Sequence, residues 1–183
     1  MALRVALLGG SFNPPHVGHL MAAYWTLATQ DVDKVWLMPA FRHPFGKELV
    51  PFEHRMAMCE LAARDLAKVE VSRIEAEVGG EGRTVETLEF LRRTHPEIEP
   101  SLVVGSDVIP ERDKWYRFSR VQELAKLIVI HRAGYDVPEA PGPVLAEVSS
   151  TEVRRRMAAG EDVSLWVPRA VEAYARAHGL YAG

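Results

Sequence analysis

The sequence has little cysteine, no long apolar run and no marked excess of charge of either sign. Cys59 is its one cysteine, which excludes an internal disulfide framework and any zinc site built from several cysteines. A single cysteine suits a reducing cytosol, so we expect a cytoplasmic protein. The longest apolar stretches, such as residues 5–8 and 127–130, are far shorter than the roughly 20 residues of a membrane-spanning helix, so no membrane association is predicted.

The charge balance is almost even. The chain has 22 Lys and Arg against 25 Asp and Glu, a net charge of −3, which gives no broad positive surface of the kind that nucleic-acid-binding domains present. No nucleic acid is therefore expected as a partner, although a small anion could be held by a few local cations. A length of 183 residues, with 48% hydrophobic and 26% charged residues, is typical of one globular domain, here residues 1–183.

Short apolar, β-branched segments alternate with amphipathic ones along the chain. The predicted strands are residues 3–8, 34–38, 69–74, 101–105, 127–131 and 144–148, and the predicted helices are residues 18–29, 52–66, 84–94, 118–125, 150–159 and 168–178. This alternation is typical of right-handed βαβ units, so we expect an α/β fold with a doubly wound parallel sheet. Ligands of such sheets bind beyond the carboxyl ends of the strands, at the topological switch point.

The loop after the first predicted strand has the composition of a phosphate site. Residues 9–20 read Gly-Gly-Ser-Phe-Asn-Pro-Pro-His-Val-Gly-His-Leu and open a helix. Glycines let a ligand approach the backbone, prolines fix the loop, and free N–H groups at a helix start favour an anion. The segment matches neither the Gly-x-Gly-x-x-Gly fingerprint nor the Walker loop, so dinucleotide redox chemistry and P-loop hydrolysis are disfavoured.

His16 and His19 lie three residues apart at the start of this predicted helix, so both can point into one pocket. Three interpretations are open. They could be loop-packing histidines bonded to backbone carbonyls; they could be zinc ligands, although His-Glu-x-x-His is absent and no third ligand is evident; or they could donate to a polyphosphate. Their position at a strand end, between glycines, favours the last interpretation.

A second candidate anion site lies near the C-terminus, where residues 147–154 read Glu-Val-Ser-Ser-Thr-Glu-Val-Arg. They lead from a predicted strand into a helix. The alternative is that these hydroxyls only cap the helix, because Ser149 and Glu152 have the spacing of a capping box.

Both segments resemble signatures of one known superfamily. The first segment resembles the motif of the (His/Thr)-x-Gly-His nucleotidyltransferases, through Gly10-Ser11-Phe12-Asn13-Pro14 and His16-Val17-Gly18-His19. Residues 148–154 resemble the second signature of the same superfamily, Ile-Ser-Ser-Thr-x-Ile-Arg. The resemblance implies a single-domain, Rossmann-like nucleotidyltransferase fold. Asn13 stands where most close relatives carry Asp, and a neutral amide keeps the hydrogen bonding but loses the charge.

The same resemblance implies which residues act. It makes His16, His19 and Arg154 the catalytic residues, which bind phosphate and stabilise the charge that builds during transfer. Mg²⁺ would come bound with ATP, held mainly by substrate oxygens and water. The implied ATP-binding residues are Gly9, Gly10, Ser11, Phe12, Gly18, His19, Gly105, Asp107, Ser149, Ser150, Thr151 and Arg154.

Further segments resemble the nicotinate or nicotinamide mononucleotide adenylyltransferases. Residues 83–88 are similar to their Tyr-Thr-x-x-Thr-Leu segment, and residues 103–107 with Lys114-Trp115-Tyr116 are similar to their Ile-Gly-x-Asp and downstream Trp. Taken alone, Thr84 is an ordinary helix N-cap, Asp107 could cap a helix and Trp115 could be a core residue. The implied residues for the second substrate are Asn13, His43, Lys47, Thr84, Val85, Trp115 and Arg132.

The loop after Pro39 resembles the family least. Relatives carry Pro-Pro-His-Lys there, whereas residues 40–47 read Ala-Phe-Arg-His-Pro-Phe-Gly-Lys. We expect His43 or Lys47 to contact a substrate phosphate, and the alternative is a solvated loop.

The resemblance as a whole implies an enzyme of NAD biosynthesis. It would transfer AMP from ATP to nicotinate mononucleotide and release pyrophosphate, so its partners are ATP and a pyridine mononucleotide. The alternatives are a nicotinamide mononucleotide or phosphopantetheine adenylyltransferase, or a nucleotide-binding module without turnover. The sequence leaves a homo-oligomer open.

Overall fold

The computed structural model describes residues 2–42, 49–140 and 142–182. Its centre is one sheet of five parallel strands in the order β3-β2-β1-β4-β5. The strands are β1 Leu3–Gly10, β2 Lys34–Pro39, β3 Val69–Val71, β4 Ile98–Gly105 and β5 Lys126–Ile130. The prediction of an α/β, doubly wound parallel sheet is confirmed. Because β2 and β3 lie on one side of β1 and β4 and β5 on the other, the switch point falls between β1 and β4.

Helices surround this sheet. They are α1 Val17–Thr29, α2 Phe52–Ala63, α3 Ile74–Val78, α4 Thr84–Thr94, α5 Phe118–Leu124, α6 Ser150–Ala158 and α7 Arg169–Ala177, with a 3-10 helix at Ser106–Lys114. In the described ranges, none is both long and apolar enough to cross a bilayer.

The central strand is buried on both faces, which explains why it is apolar without alternation. Val5 and Leu7 pack with residues of α4 and α5, whereas Ala6 and Leu8 pack with residues of α1 and α2 on the other face. A third apolar cluster joins α2 to α6 and α7 through residues such as Met58, Val153 and Val171. This third cluster attaches the C-terminal helices beside the loop that follows β1.

One predicted strand is wrong. Residues 144–148 form no strand, and the chain there makes a single backbone hydrogen bond to the end of β5, from the Leu145 N–H to the His131 carbonyl at 3.3 Å. Pro143 has no N–H to donate, and Val144 is 48% exposed, so the segment has neither the pairing nor the burial that a sixth strand needs.

Two short elements escaped prediction. The expected strand 69–74 ends at Val71, because Ser72 turns the chain and Ile74 begins α3 with its N–H bonded to the Ser72 hydroxyl at 3.3 Å. The 3-10 helix Ser106–Lys114 carries four exposed charged residues and Pro110, so it lacks the apolar periodicity by which helices are recognised in a sequence.

Candidate active site

The loop after β1 is buried and held in an uncommon conformation. Phe12 is fully buried at a φ of +46°, in the left-handed region that side chains other than glycine rarely adopt. A Cβ on Gly10 would lie 3.3 Å from the Phe12 ring, so the glycine lets this ring fold back against the backbone. Asn13 is 3% exposed, and the side of the loop facing the core is therefore closed to solvent.

His16 and His19 form a stacked pair at the start of α1. Their ring centroids lie 3.8 Å apart with planes inclined by 26°. The main-chain N–H of His16 donates to Nδ1 of His19 at 3.2 Å, so neutral His19 carries its proton on Nε2. A Cβ on Gly18 would approach His16 Nδ1 to 3.1 Å, and glycine thus gives the His16 ring room to lie against the helix start.

Both imidazoles are neutral in the free protein at neutral pH. Burial, and then the charge of Arg132, lower the pKa of His16 from 6.5 to about 4. Burial also lowers the pKa of His19 well below its usual value, with His16 and Arg132 acting in the same direction. The pair therefore offers N–H donors without placing two positive charges against each other.

The segment at the start of α6 contacts the first loop directly. Arg154 donates from Nη1 to the Asn13 carbonyl at 2.7 Å, and the Ser150 hydroxyl donates to the Pro14 carbonyl at 3.1 Å. Arg154 also contacts the Thr151 hydroxyl at 3.2 Å. Two segments separated by about 140 residues in the chain therefore form one surface.

The capping box that was the alternative interpretation of this segment is absent. Ser149 occupies the N-cap position of α6 without a side-chain hydrogen bond. Glu152 instead makes ion pairs with Arg155 and Arg156, at 2.9 and 2.7 Å. These pairs draw the Glu152 carboxylate toward the following turns of the helix, and the exposed Ser149 hydroxyl remains available for a ligand.

A second pair of charged residues lies beyond β4 and β5. Arg132 Nε is 3.3 Å from Asp107 Oδ1, and the Arg132 N–H donates to the buried Ser106 hydroxyl at 2.9 Å. Asp107 lies in the first turn of the 3-10 helix. A Cβ on Gly105 would come within 2.6 Å of Arg132 Nε, so the glycine makes room for this pair at the switch point.

The expected acceptor-side residues are less uniformly placed. Thr84 is the first residue of α4 and Arg83 is the N-cap, so the prediction of Thr84 as an N-cap is wrong. Val85 is 1% exposed, which leaves only its main chain for a ligand. Trp115 is half-buried, packs edge-to-face on Phe118 at 6.0 Å and lines an open pocket of about 430 Å³.

Not every expected residue can be placed. His43 and Lys47 lie outside the described residues. Over the ranges that are described, no group of three His, Cys, Asp or Glu side chains could hold a metal ion.

Sequence reasoning missed two residues beneath the loop after β1. The first is Arg55 of α2, which is 1% exposed and bonds to the Ser11 carbonyl at 3.0 Å. The second is Tyr181, whose hydroxyl donates to Asn13 Oδ1 at 2.7 Å. Arg55 had a usable signal, because it shares a helix face with the apolar Met58 and Cys59, where an unpaired charge is unusual.

Comparison with known families gives a consistent result. Residues 7–156 match the family model described as cytidylyltransferase-like. A protein of Myxococcus xanthus is 56% identical over 181 residues, which cover 98% of this chain and 95% of the relative. A protein of Anaeromyxobacter dehalogenans is 58% identical over 183 residues, which cover 98% and 97%. Both carry the name "Probable nicotinate-nucleotide adenylyltransferase".

Solved structures share the fold at much lower identity. The nicotinic acid mononucleotide adenylyltransferase of Plasmodium falciparum, complexed with NaAD, superposes with a TM-score of 0.80 at 18% identity, covering 98% of this chain and 97% of that one. A structure from Vibrio parahaemolyticus, described as a nicotinate-nucleotide adenylyltransferase, gives a TM-score of 0.77 at 22% identity, covering 98% and 95%.

Proposed function

The chain belongs to the cytidylyltransferase-like family and, within it, to the nicotinate-nucleotide adenylyltransferases, and from this we propose the reaction that it catalyses. It transfers AMP from ATP to nicotinate mononucleotide, which gives nicotinate adenine dinucleotide and pyrophosphate. This reaction is a step of NAD biosynthesis.

The main observation in support of this function is the direct contact between the two signature segments, the loop after β1 and the start of α6. Arg154 and Ser150 bond to carbonyls of the loop that ends in His16, and the His16–His19 stack lies at that same end. A cation, hydroxyls and imidazole donors therefore converge beyond β1. Such a set of donors suits a polyphosphate, and it contains no side chain that must act as a covalent nucleophile.

In the proposed mechanism an oxygen of the mononucleotide 5′-phosphate attacks the α-phosphorus of ATP in line. The new P–O bond forms as the bond between the α-phosphorus and the bridging oxygen breaks, and pyrophosphate leaves with the electron pair. His19 donates from Nε2, the nitrogen that carries its proton, and Arg154 neutralises charge on the leaving phosphates. Positioning and charge stabilisation then supply most of the rate enhancement.

A divalent metal that accompanies ATP fits this site as part of the substrate. Since the described residues offer no group of three metal-ligating side chains, triphosphate oxygens and water would supply most of its ligands. We propose Mg²⁺, which neutralises phosphate charge when bound.

The acceptor side is proposed to lie toward β4 and the start of α4. Trp115 would stack on the pyridine ring, and main-chain groups at Thr84 and Val85 would bind its carboxylate. On the ATP side, Asp107, held by Arg132, would accept hydrogen bonds from ribose hydroxyls. We also propose that residues 1–183 act as one domain. We propose a cytoplasmic location because a chain with a single cysteine forms no internal disulfide and needs no oxidising compartment.

The test supplies ATP and Mg²⁺ with nicotinate mononucleotide, nicotinamide mononucleotide or 4′-phosphopantetheine in separate reactions, and measures pyrophosphate release. We expect the highest kcat/KM with nicotinate mononucleotide. If 4′-phosphopantetheine were the one acceptor that gave turnover, the chain would be a phosphopantetheine adenylyltransferase. If the protein bound ATP but released no pyrophosphate with any of the three acceptors, it would be a nucleotide-binding module.

A further inference from the structure

Arg55 is the largest fully buried side chain among the residues that the structure describes, and the proposed mechanism does not use it. It lies in the first turn of α2, is 1% exposed, and donates from Nε to the Val50 carbonyl at 2.9 Å and from Nη1 to the Ser11 carbonyl at 3.0 Å. Burying an arginine this completely costs free energy, which its hydrogen bonds must offset.

The hydrogen bond to Ser11 fixes the direction of a peptide in the loop after β1. In a trans peptide the carbonyl of one residue and the N–H of the next point in opposite directions. With the Ser11 carbonyl held toward α2, the Phe12 N–H points away from α2. Phe12 also adopts a left-handed φ of +46°, which costs energy, so the loop needs an external contact of this kind to keep its shape.

Among the described residues, no charged neighbour balances the charge of Arg55. The titratable groups that act on it are Cys59 and Tyr181, and burial raises the pKa of both, so both are neutral at neutral pH. Across the described parts of the chain, no carboxylate forms an ion pair with Arg55. Arginine stays protonated in proteins, so a positive charge remains directly beneath the loop.

Together these observations point to one role. We propose that Arg55 is a positioning residue for the triphosphate of ATP: it holds the Ser11 carbonyl, turns the Phe12 N–H toward the phosphates, and adds a buried positive charge behind the loop. This inference rests on the proposed function, because it takes the loop to be the phosphate site. Arg55 itself is too deeply buried to touch the nucleotide.

Arg73 provides a matched control. Its guanidinium lies 5.4 Å from the Phe52 ring centroid, and that of Arg55 lies 5.5 Å from the same ring. Arg73, however, is exposed and paired with Glu53. Arg73→Met therefore removes the same charge and the same ring contact without changing the loop.

The experiment measures the affinities of ATP and AMP by calorimetry for the wild type, Arg55→Met, Arg55→Lys and Arg73→Met, each checked for folding by circular dichroism. For each variant the loss of ATP affinity is compared with the loss of AMP affinity. A buried positive charge attracts the more highly charged ATP more strongly than AMP, whereas a general loosening of the loop would weaken the binding of both nucleotides. We expect Arg55→Met to lose at least about tenfold more affinity for ATP than for AMP. Arg55→Lys should keep most of the preference for ATP, since lysine retains the charge, while kcat falls because its compact ammonium cannot reproduce the guanidinium geometry.

The remaining outcomes separate the two hypotheses. Equal losses of ATP and AMP affinity in Arg55→Met, or a matching loss in Arg73→Met, would overturn the role of Arg55 alone. If Arg55→Met does not fold, Arg55→Lys decides through its kcat: a lower kcat with the preference for ATP kept supports the role, and an unchanged kcat or a lost preference refutes it. A wild type that bound no ATP would overturn the proposed function together with this inference.

Discussion

The Tyr181 hydroxyl donates a 2.7 Å hydrogen bond to Oδ1 of Asn13, which joins the last turn of the chain to the loop after β1 across 168 residues. Tyr181 adopts a φ of +62° to make this contact, a conformation that costs energy for any residue with a Cβ. The Asn13 carbonyl also accepts from Arg154. Asn13 is therefore held on both its side chain and its main chain, and its neutral amide acts as a structural acceptor.

Tyr181→Phe tests this contact by removing one hydroxyl. The Asn13 amide oxygen would remain buried without its donor, so we expect a loss of roughly 1–3 kcal/mol of unfolding free energy and a higher KM for ATP. Urea denaturation and steady-state kinetics measure the two effects. Tyr24, which is 53% exposed, gives the control: Tyr24→Phe should change neither quantity, and a Tyr181→Phe protein equal to it would disprove the tether.

His19 should contribute through one particular nitrogen. Because Nδ1 accepts from the His16 N–H, only Nε2–H is free to donate to phosphate. We expect His19→Ala to lower kcat by about 100- to 1000-fold. The amide nitrogen of Gln lies near the position of Nε2, so His19→Gln should recover about tenfold of that loss through the same donor.

The control for this pair is His95→Ala, since His95 lies at the other end of α4 from Thr84 and should not affect kcat. All three variants should unfold as cooperatively as the wild type in circular dichroism. A folded His19→Ala enzyme with nearly normal turnover would show that the imidazole pair only packs the loop.

Substitutions of Trp115 distinguish a role in the hydrophobic core from a role in stacking on the pyridine ring. It contacts the core cluster and Phe118, yet stays partly exposed beside a pocket. Trp115→Ala should raise the KM for nicotinate mononucleotide about tenfold or more while changing the KM for ATP little, because aromatic stacking contributes on the order of 1–3 kcal/mol. Trp115→Phe keeps a ring and should retain most of the affinity. An unchanged mononucleotide KM in Trp115→Ala, with lower thermal stability, would make Trp115 a core residue only.

Stability should fall in mild acid because of the imidazole pair. The pKa of His16 is lowered from 6.5 to about 4 in the folded state, so between these pH values the unfolded chain binds more protons than the folded one. This contribution to the free energy of unfolding is fully present above about pH 6.5 and is lost as the pH falls toward 4. For His16 the contribution is on the order of 3 kcal/mol. His19, with its pKa lowered further, acts in the same direction.

Urea midpoints at pH 7 and pH 4.5 measure this effect in the wild type and in His16→Gln. The difference between the two proteins isolates His16, because other groups contribute to both: His131, for example, has a pKa raised by Gly142 and Asp136 and acts in the opposite direction. We expect the pH dependence to be smaller in His16→Gln. Equal slopes in the two proteins would mean that His16 titrates normally.

Local patterns were sufficient for most of the fold. Five of six predicted strands and all six predicted helices appear, because burial on one or both faces imposes a periodicity that a short window of sequence displays. The segment 144–148 shows the limit of this rule. Its apolar residues resemble a strand, but strand formation needs a partner, and its one hydrogen bond to His131 does not provide a ladder.

The sequence by itself determined the alternation of strands and helices, the chemistry of the loop at Gly9–His19 and the family to which that loop points. Only the tertiary structure decided three hydrogen bonds of the site. Arg154 donates to the Asn13 carbonyl, Tyr181 donates to the Asn13 side chain, and Arg55 donates to the Ser11 carbonyl. The physical reason is distance along the chain. Propensity and periodicity act over a few residues, whereas these contacts join segments 44 to 168 residues apart, and only the strand order and helix packing bring them together.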